Sequence, residues 1–296
     1  MDDQPRSAAR TVSIMNAAPV VEVAERPGVG LDGQVRPSED VVVVLPNAVV
    51  LLDGATTLRP GLPSGGWYAS RLAGQLAGRL TGFPDMDLAD LLAGSIRAVA
   101  RDNGLEPGES PSSTVALVRW DAKKVEGLVL ADSPVVAFTG DGPQVLADDR
   151  LTQIPRRGGG YRAQLRDGAG YGEAHLDALR TSATAVGRLR NTEGGFWVAE
   201  ADPDAAHEAK RASWPRPEVR TVLLASDGVS CGVDDYGLFP DWSAVLTLVG
   251  EQGAQAVLDV VRAAEESDPD GARWPRPKPH DDQALAVVDF VDFGTG

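Results

Sequence analysis

VVVVLPNAVVLLDGATT, residues 41–57, decides the fold. Two apolar, β-branched runs flank Pro46-Asn47-Ala48, and this composition reads as a hairpin of two strands with a tight connection. The second run passes directly into Asp53-Gly54 and then into a pair of threonines. Asp-Gly is a common hairpin turn, because both residues tolerate positive φ. The chain holds six Asp-Gly pairs, beginning at Asp32, Asp53, Asp141, Asp167, Asp227 and Asp270. Composition alone would supply roughly three. Only the pairs at Asp53 and Asp227 follow strongly apolar runs, so these two need a reason beyond the turn.

Outward from the hairpin, the N-terminal ten residues read as disordered, and residues 11–296 as one domain. TVSIM and PVVEVA, within 11–24, read as one or two strands. Downstream, WYASRLAGQLAGRL places Ala69, Leu72, Ala73, Leu76 and Leu80 at helical spacing. DLADLLAGSIRAVARDNG is a second amphipathic helix, with acids at its start and Gly104 as its stop. Short strands separated by charged or glycine turns fill 113–148 and read as an antiparallel meander. Residues 149–190 break this pattern and are rich in Gly and Arg. GGFWVAE reads as strand-like, followed by a short helix near Pro203–Arg211 and a strand at 219–226. Two helices, about 241–249 and 252–266, precede the closing strand QALAVVDFV. WPRP occurs at 214–217 and again at 274–277, each copy read as a rigid loop entering a strand. This order lacks βαβ alternation. It argues for an α+β chain of segregated antiparallel sheets with helices packed outside.

The 296 residues carry a formal charge of −15 and are 43% hydrophobic, enough for one sizeable core. Such an acidic balance argues against nucleic acid as a partner, and against an anionic membrane surface, since both are bound by clustered Lys and Arg. Cys231 is the only cysteine, so an intramolecular disulfide and a multi-cysteine zinc site are excluded. The first 30 residues contain no long apolar core and no secretory leader is expected. The longest apolar stretch is too short to span a bilayer. A soluble, cytoplasmic protein is the expectation.

Asp53, Asp132, Asp227 and the pair Asp281-Asp282 share one context: each stands at the end or the start of an apolar strand. Taken singly, Asp53, Asp227 and the 281–282 pair read more readily as turn or loop residues than as ligands, and Asp132 at least as readily. If the central strands align, the carboxylates converge, and convergent carboxylates in a low dielectric repel strongly unless a cation sits among them. Oxygen ligands without a set of Cys or His select Mg²⁺ or Mn²⁺ over zinc.

The joint order of these motifs resembles the metal-dependent serine/threonine protein phosphatases of type 2C, in a divergent bacterial-type form. SEDVVVVLPNAVVLLDG matches that family's acidic pair and first metal strand through Glu39, Asp40, Asp53 and Gly54. SSTVALV, LADSP, VLLASDGVSCGV and DDQALAVV follow in the family's order, and the likeness covers about 25–291. The resemblance implies a four-layer αββα sandwich, two antiparallel sheets flanked by helices. It implies two Mg²⁺ or Mn²⁺ ions, with Asp53 and the Gly54 carbonyl at one and Asp53, Asp227 and Asp281 at the other. Asp132 would serve a weaker third ion, and Glu39 and Asp40 would stand behind the ligands. Paired ions about 3.5–4 Å apart share and activate a water for in-line attack on a phosphoryl group. The implied partner is a phosphorylated protein, for instance the product of a bacterial Ser/Thr kinase.

Two family features are displaced. The family's DGxGGH, with its general-acid histidine, is here DGATTLRPGLPSGGW, with none of His175, His207 or His280 nearby. Arg36, the counterpart of the phosphate-binding arginine, stands one residue too close to Asp40. A pseudophosphatase that binds a phosphoprotein without turnover, and a small-metabolite phosphatase, therefore stay open beside the protein phosphatase. The 149–190 segment falls where the family carries a flap. Between Arg150 and Arg190 its eight arginines against three acids make it +5. Either these arginines pair with the acidic surface, or Arg156 and Arg157 recruit phosphorylated substrate.

Overall fold

The computed structural model describes residues 18–59, 61–155 and 160–290. The hairpin forms as expected: β2 (Asp40–Leu45) and β3 (Ala48–Asp53) pair antiparallel, with Leu45 opposite Ala48 and Asp40 opposite Asp53. They join β4 (Val115–Trp120), β5 (Lys124–Leu130) and β8 (Lys210–Pro215) in a sheet of order β2-β3-β4-β5-β8. A second antiparallel sheet has the order β1-β10-β9-β6-β7. Its members are β1 (Val20–Arg26), β6 (Val135–Thr139), β7 (Gly142–Leu146), β9 (Thr221–Ala225) and β10 (Gln283–Asp289).

The apolar runs are continuous because the central strands are buried on both faces. In β3, Val49 and Leu51 face the space between the sheets, packed with Ala116, Val118, Val222, Leu224, Ala284 and Ala286. The alternate residues Ala48, Val50 and Leu52 face the other way, against α1 (Gly65–Gly82) and α2 (Leu88–Asn103). Leu72, Leu76 and Leu80 of α1 are buried there, each contributing roughly 1.5–3 kcal/mol relative to exposure. On the outer face of the second sheet, Leu223, Ala225, Leu285 and Val287 pack on α7 (Trp242–Gln252) and α8 (Ala254–Glu266). The result is the four-layer αββα sandwich. Among the described residues no single helix is long and apolar enough to cross a membrane.

Several local expectations are corrected. The 113–148 meander divides: β4-β5 lie in one sheet and β6-β7 in the other. The crossing follows Ala131, a non-glycine residue held at φ +66°. GGFWVAE is not a strand and is held by isolated bridges, Arg190 with Phe196 and Ser113 with Ala199. The segment at 203–211 is a 3₁₀ turn, Pro203–Glu208, running into β8. The first WPRP is the end of β8 and a 3₁₀ turn rather than a loop. Residues 149–190 contain helices α3 (Arg150–Gln153), α4 (Tyr161–Arg166) and α5 (Glu173–Gly187). Asp227 opens a helix of its own, α6 (Asp227–Asp234). TVSIM and the paired Arg156-Arg157 lie outside the described residues.

Candidate functional site

Topology brings the acidic residues to one end of the sandwich. With period two along β2 and β3, Asp40 and Asp53 both fall on the inter-sheet side, directly opposite one another. Like charges in such a pair repel. The end of β5 lies beside the start of β4, which brings Asp132 to the same rim. In the other sheet, Ala225 at the end of β9 pairs with Leu285 near the start of β10, which places Asp227 beside Asp281-Asp282.

Backbone and hydroxyl groups fix these positions. The Asp53 N–H donates to Thr114 Oγ1 (3.1 Å), and Thr114 Oγ1 lies 2.6 Å from buried Ser133 Oγ. The Gly54 N–H donates to the Glu39 carbonyl. A Cβ on Gly54 would stand 2.3 Å from the backbone of Gly65, so the approach of α1 to this strand end requires glycine. Glu39 accepts from Thr56 Oγ1 (3.0 Å) and from the Gly66 N–H (3.4 Å), bracing the segment after Asp53 against α1.

The electrostatics are those of an uncompensated cluster. Asp40 is 5% exposed, and neither of its carboxylate oxygens has a hydrogen-bond partner. Burial, and then the charges of Asp281 and Asp282, push its carboxyl up to about 8; Ser226, which approaches without completing a hydrogen bond, and Lys278 offset this in part. Burial first, then Asp227, Asp40, Asp281 and Asp132, hold the Asp53 carboxyl well above its usual range. Asp227 is raised in the same way, by desolvation and then by Asp281, Asp132 and Asp40. Asp227 remains open to the cleft, so its desolvation is that of a concave floor rather than of the interior. Asp132 is raised by burial and by the neighbouring Asp148 and Asp281, although its own backbone N–H offsets part of this.

Asp281 differs. Lys278 Nζ lies 2.8 Å from Asp281 Oδ1 and 3.2 Å from Asp282 Oδ2, and its pKa is raised because these two carboxylates outweigh the effect of burial. No basic side chain among the described residues pairs with Asp53, Asp132 or Asp227. Oxygen-only donors are the chemistry a hard divalent cation takes, and the carboxylates of Asp53 and Asp227, with the unpartnered buried oxygens of Asp40 opposite Asp53, fit one in this respect. Among the described residues no set of three His, Cys, Asp or Glu side chains is already arranged to hold a metal ion. Closure around an ion would therefore require side-chain movement.

Asp53, Asp132 and Asp227 line a cleft of about 550 Å³. A separate cavity of about 370 Å³, lined in part by Pro277 and Pro279, contains none of this trio. The cleft also carries Arg59 from the segment after Asp53, and Arg180 and Arg190 from the 149–190 segment. Arg36 is not among its lining: it pairs with Asp32 at 3.1 Å on the surface. Neither His175, His207 nor His280 lines it. Much of the arginine-rich segment is engaged with acids and carbonyls. Arg150 pairs with Asp148 (2.6 Å), Arg180 with Asp177 (3.1 Å), and Arg190 stands 3.6 Å from Glu200 while donating to the Gly108 carbonyl.

Two residues of consequence carry no motif. Buried Glu200 accepts from the Gly108 N–H and Ser110 Oγ and ties the cleft wall together; only its burial reveals it. Lys278 is the other, masked in sequence by its alternation with prolines in WPRPKPHDD.

No family model matches the chain, and no curated protein matches it in sequence. Solved structures match it in fold. PppA, described as a key regulatory component of T6SS in Pseudomonas aeruginosa, is 18% identical with a TM-score of 0.52, covering 92% of this chain and 98% of its own. The PPM Ser-Thr phosphatase MsPP from Mycobacterium smegmatis, in complex with cacodylate, is 14% identical with a TM-score of 0.52, over 91% and 97%. The catalytic domain of the serine threonine protein phosphatase PstP, in complex with 2 manganese ions, is 17% identical with a TM-score of 0.50, over 92% and 97%. At these identities the likeness establishes the fold, that of the PPM-type Ser/Thr phosphatases.

Proposed function

We propose that this chain is a metal-dependent phosphomonoester hydrolase acting on phosphoserine and phosphothreonine in proteins of a bacterial-type kinase pathway. One observation carries the reading: Asp53 and Asp227, drawn to one end of a phosphatase fold, stand in an open cleft with carboxyls raised by desolvation and then by neighbouring carboxylates, and no protein cation is paired to them. Mg²⁺ or Mn²⁺ suits such donors. Asp53, the Gly54 carbonyl and Asp227 would hold the ion, with Asp132 and Asp281 at the margins and Glu39 and Asp40 behind. When bound, the ion supplies a water of lowered pKa as the nucleophile.

The chain's own residues do the rest. Thr114 orients Asp53 through its backbone N–H. Arg59 and Arg180, both lining the cleft, offer guanidinium donors for the phosphate oxygens, and Arg180 is free to turn because its one partner, Asp177, is exposed. With no histidine among the lining residues, the leaving alkoxide takes its proton from solvent in the cleft.

A second reading, phosphoprotein binding without turnover, is favoured by one feature: Asp281 is already engaged by Lys278. The test compares kcat/KM for a phosphothreonine peptide and a hexose phosphate across a Mn²⁺ titration. The proposal expects Mn²⁺-dependent turnover of the peptide, preferred by at least about tenfold. Faster hexose phosphate hydrolysis would make the substrate a metabolite, and peptide binding without release of phosphate would establish the second reading.

A further inference from the structure

The loop before β10, residues 273–282, carries a cation into the acidic cluster. Lys278 is 5% exposed, and its ammonium has three donors. Three acceptors meet them: Asp281 Oδ1 at 2.8 Å, Asp282 Oδ2 at 3.2 Å and Thr56 Oγ1 at 3.4 Å. No donor remains for a phosphate, so this lysine does not grip substrate. Thr56 lies three residues beyond Asp53, so the ammonium links the Asp53 strand end of one sheet to the Asp281 end of the other. Asp282 is fixed from its other side, its Oδ1 accepting from the Gly28 N–H at 2.7 Å.

The loop is also clamped. Pro275, Pro277 and Pro279 alternate through it, each fixing its own φ. Each of the three prolyl carbonyls is caught by a separate side chain: Pro275 by Arg162 Nη1 (3.0 Å), Pro277 by His175 Nε2 (2.8 Å) and Pro279 by Arg276 Nε (2.8 Å). Arg276 in turn donates to the Asp268 carboxylate and to the carbonyls of Glu265, Asp268 and Trp274. Shifting the backbone that carries Lys278 would break this set of contacts.

We infer that Lys278 is a built-in cation of the centre: its ammonium occupies the Asp281–Asp282 end of the cluster in place of a divalent ion, so the chain binds one divalent ion fewer than its carboxylates would otherwise take. The inference rests on the reading that this cluster binds divalent cations. An ammonium neutralises charge but offers no open coordination position, so the Asp281 end serves as scaffold, and the ion-binding end is left to Asp53 and Asp227.

The test counts Mn²⁺ bound to the full chain by isothermal titration, with equilibrium dialysis as a check. Wild type is expected to bind one Mn²⁺ and Lys278→Met two, while Lys278→Arg keeps the wild-type count. The same number in wild type and Lys278→Met, whether none, one or two, overturns the inference. If Lys278→Met does not fold, Asp281→Asn in the otherwise wild-type chain decides. An unchanged Mn²⁺ count supports the built-in cation, and a count lower by one overturns it. Mn²⁺-dependent hydrolysis by a wild type that binds two ions would defeat this inference alone. A gain of one ion in Lys278→Met without hydrolysis in either protein would leave it standing and defeat the phosphatase reading.

Discussion

Raising the pH in the presence of chelator should destabilise this protein through Asp40. In the unfolded chain Asp40 ionises near 3.8, whereas in the fold it keeps its proton to about 8. Below the unfolded value both states are protonated and nothing is lost. Between the two values the unfolded chain releases a proton that the folded chain retains, so stability falls as pH rises across this window, and above it the loss is complete. At about 1.4 kcal/mol per tenfold, the part of the window from about pH 5 to about pH 8 is worth roughly 3–4 kcal/mol. With Asp40 only 5% exposed, solvent screening removes little of it. An unfolding entropy of about 2.1 cal/mol/K per residue over 296 residues converts this to a fall in Tm of roughly 6 °C. Because other groups titrate too, the quantity to read is the difference between wild type and Asp40→Asn, which keeps the shape and cannot ionise. Neither Asp40 oxygen is hydrogen-bonded, so the substitution breaks no bond. Calorimetry in EDTA across this pH range should show wild type losing about 6 °C relative to the variant, with Mn²⁺ reducing the loss. Parallel slopes for the two proteins would refute the reasoning.

Further outcomes follow from the geometry. Gly228→Ala places a Cβ 1.9 Å from the Asp282 carbonyl oxygen, backbone against backbone, and should destabilise by at least about 1–3 kcal/mol in urea unfolding; a wild-type midpoint would contradict the packing of α6 on this loop. Arg276→Ala removes the guanidinium that neutralises buried Asp268 and should cost roughly 3–5 kcal/mol by the same measurement, with Arg276→Lys recovering only part of it. Arg180→Ala should raise KM for a phosphothreonine peptide while leaving stability within about 0.5 kcal/mol; an unchanged KM would leave Arg180 as surface charge.

The central strands were legible because burial on both faces writes an unbroken apolar run, and Val49–Leu52 and Val222–Ala225 are such runs. What sequence patterning could not tell was which sheet a strand joins. β5 and β6 are consecutive and equally apolar, and the crossing between them turns on the single backbone conformation of Ala131. β8, KRASWP, is an edge strand whose exposed, charged residues carry no strand signal. α6, DGVSCGVD, is short and made of weak helix formers, so Asp227 read as a strand end. The acidic cluster was legible through the strand ends that carry it. Lys278 was not, because its setting depends on three prolyl carbonyls caught by side chains, two of them 102 and 113 residues away in the chain, a relation no local pattern records.

The most direct measurement is a Mn²⁺ titration of aryl phosphate hydrolysis by wild type and Asp53→Asn under identical conditions. If Asp53 holds the ion that activates water, the wild-type rate rises with Mn²⁺ to saturation, and Asp53→Asn falls by more than about a hundredfold, beyond the range seen for partners outside the ligand set. Equal, Mn²⁺-indifferent rates for the two proteins would contradict the account.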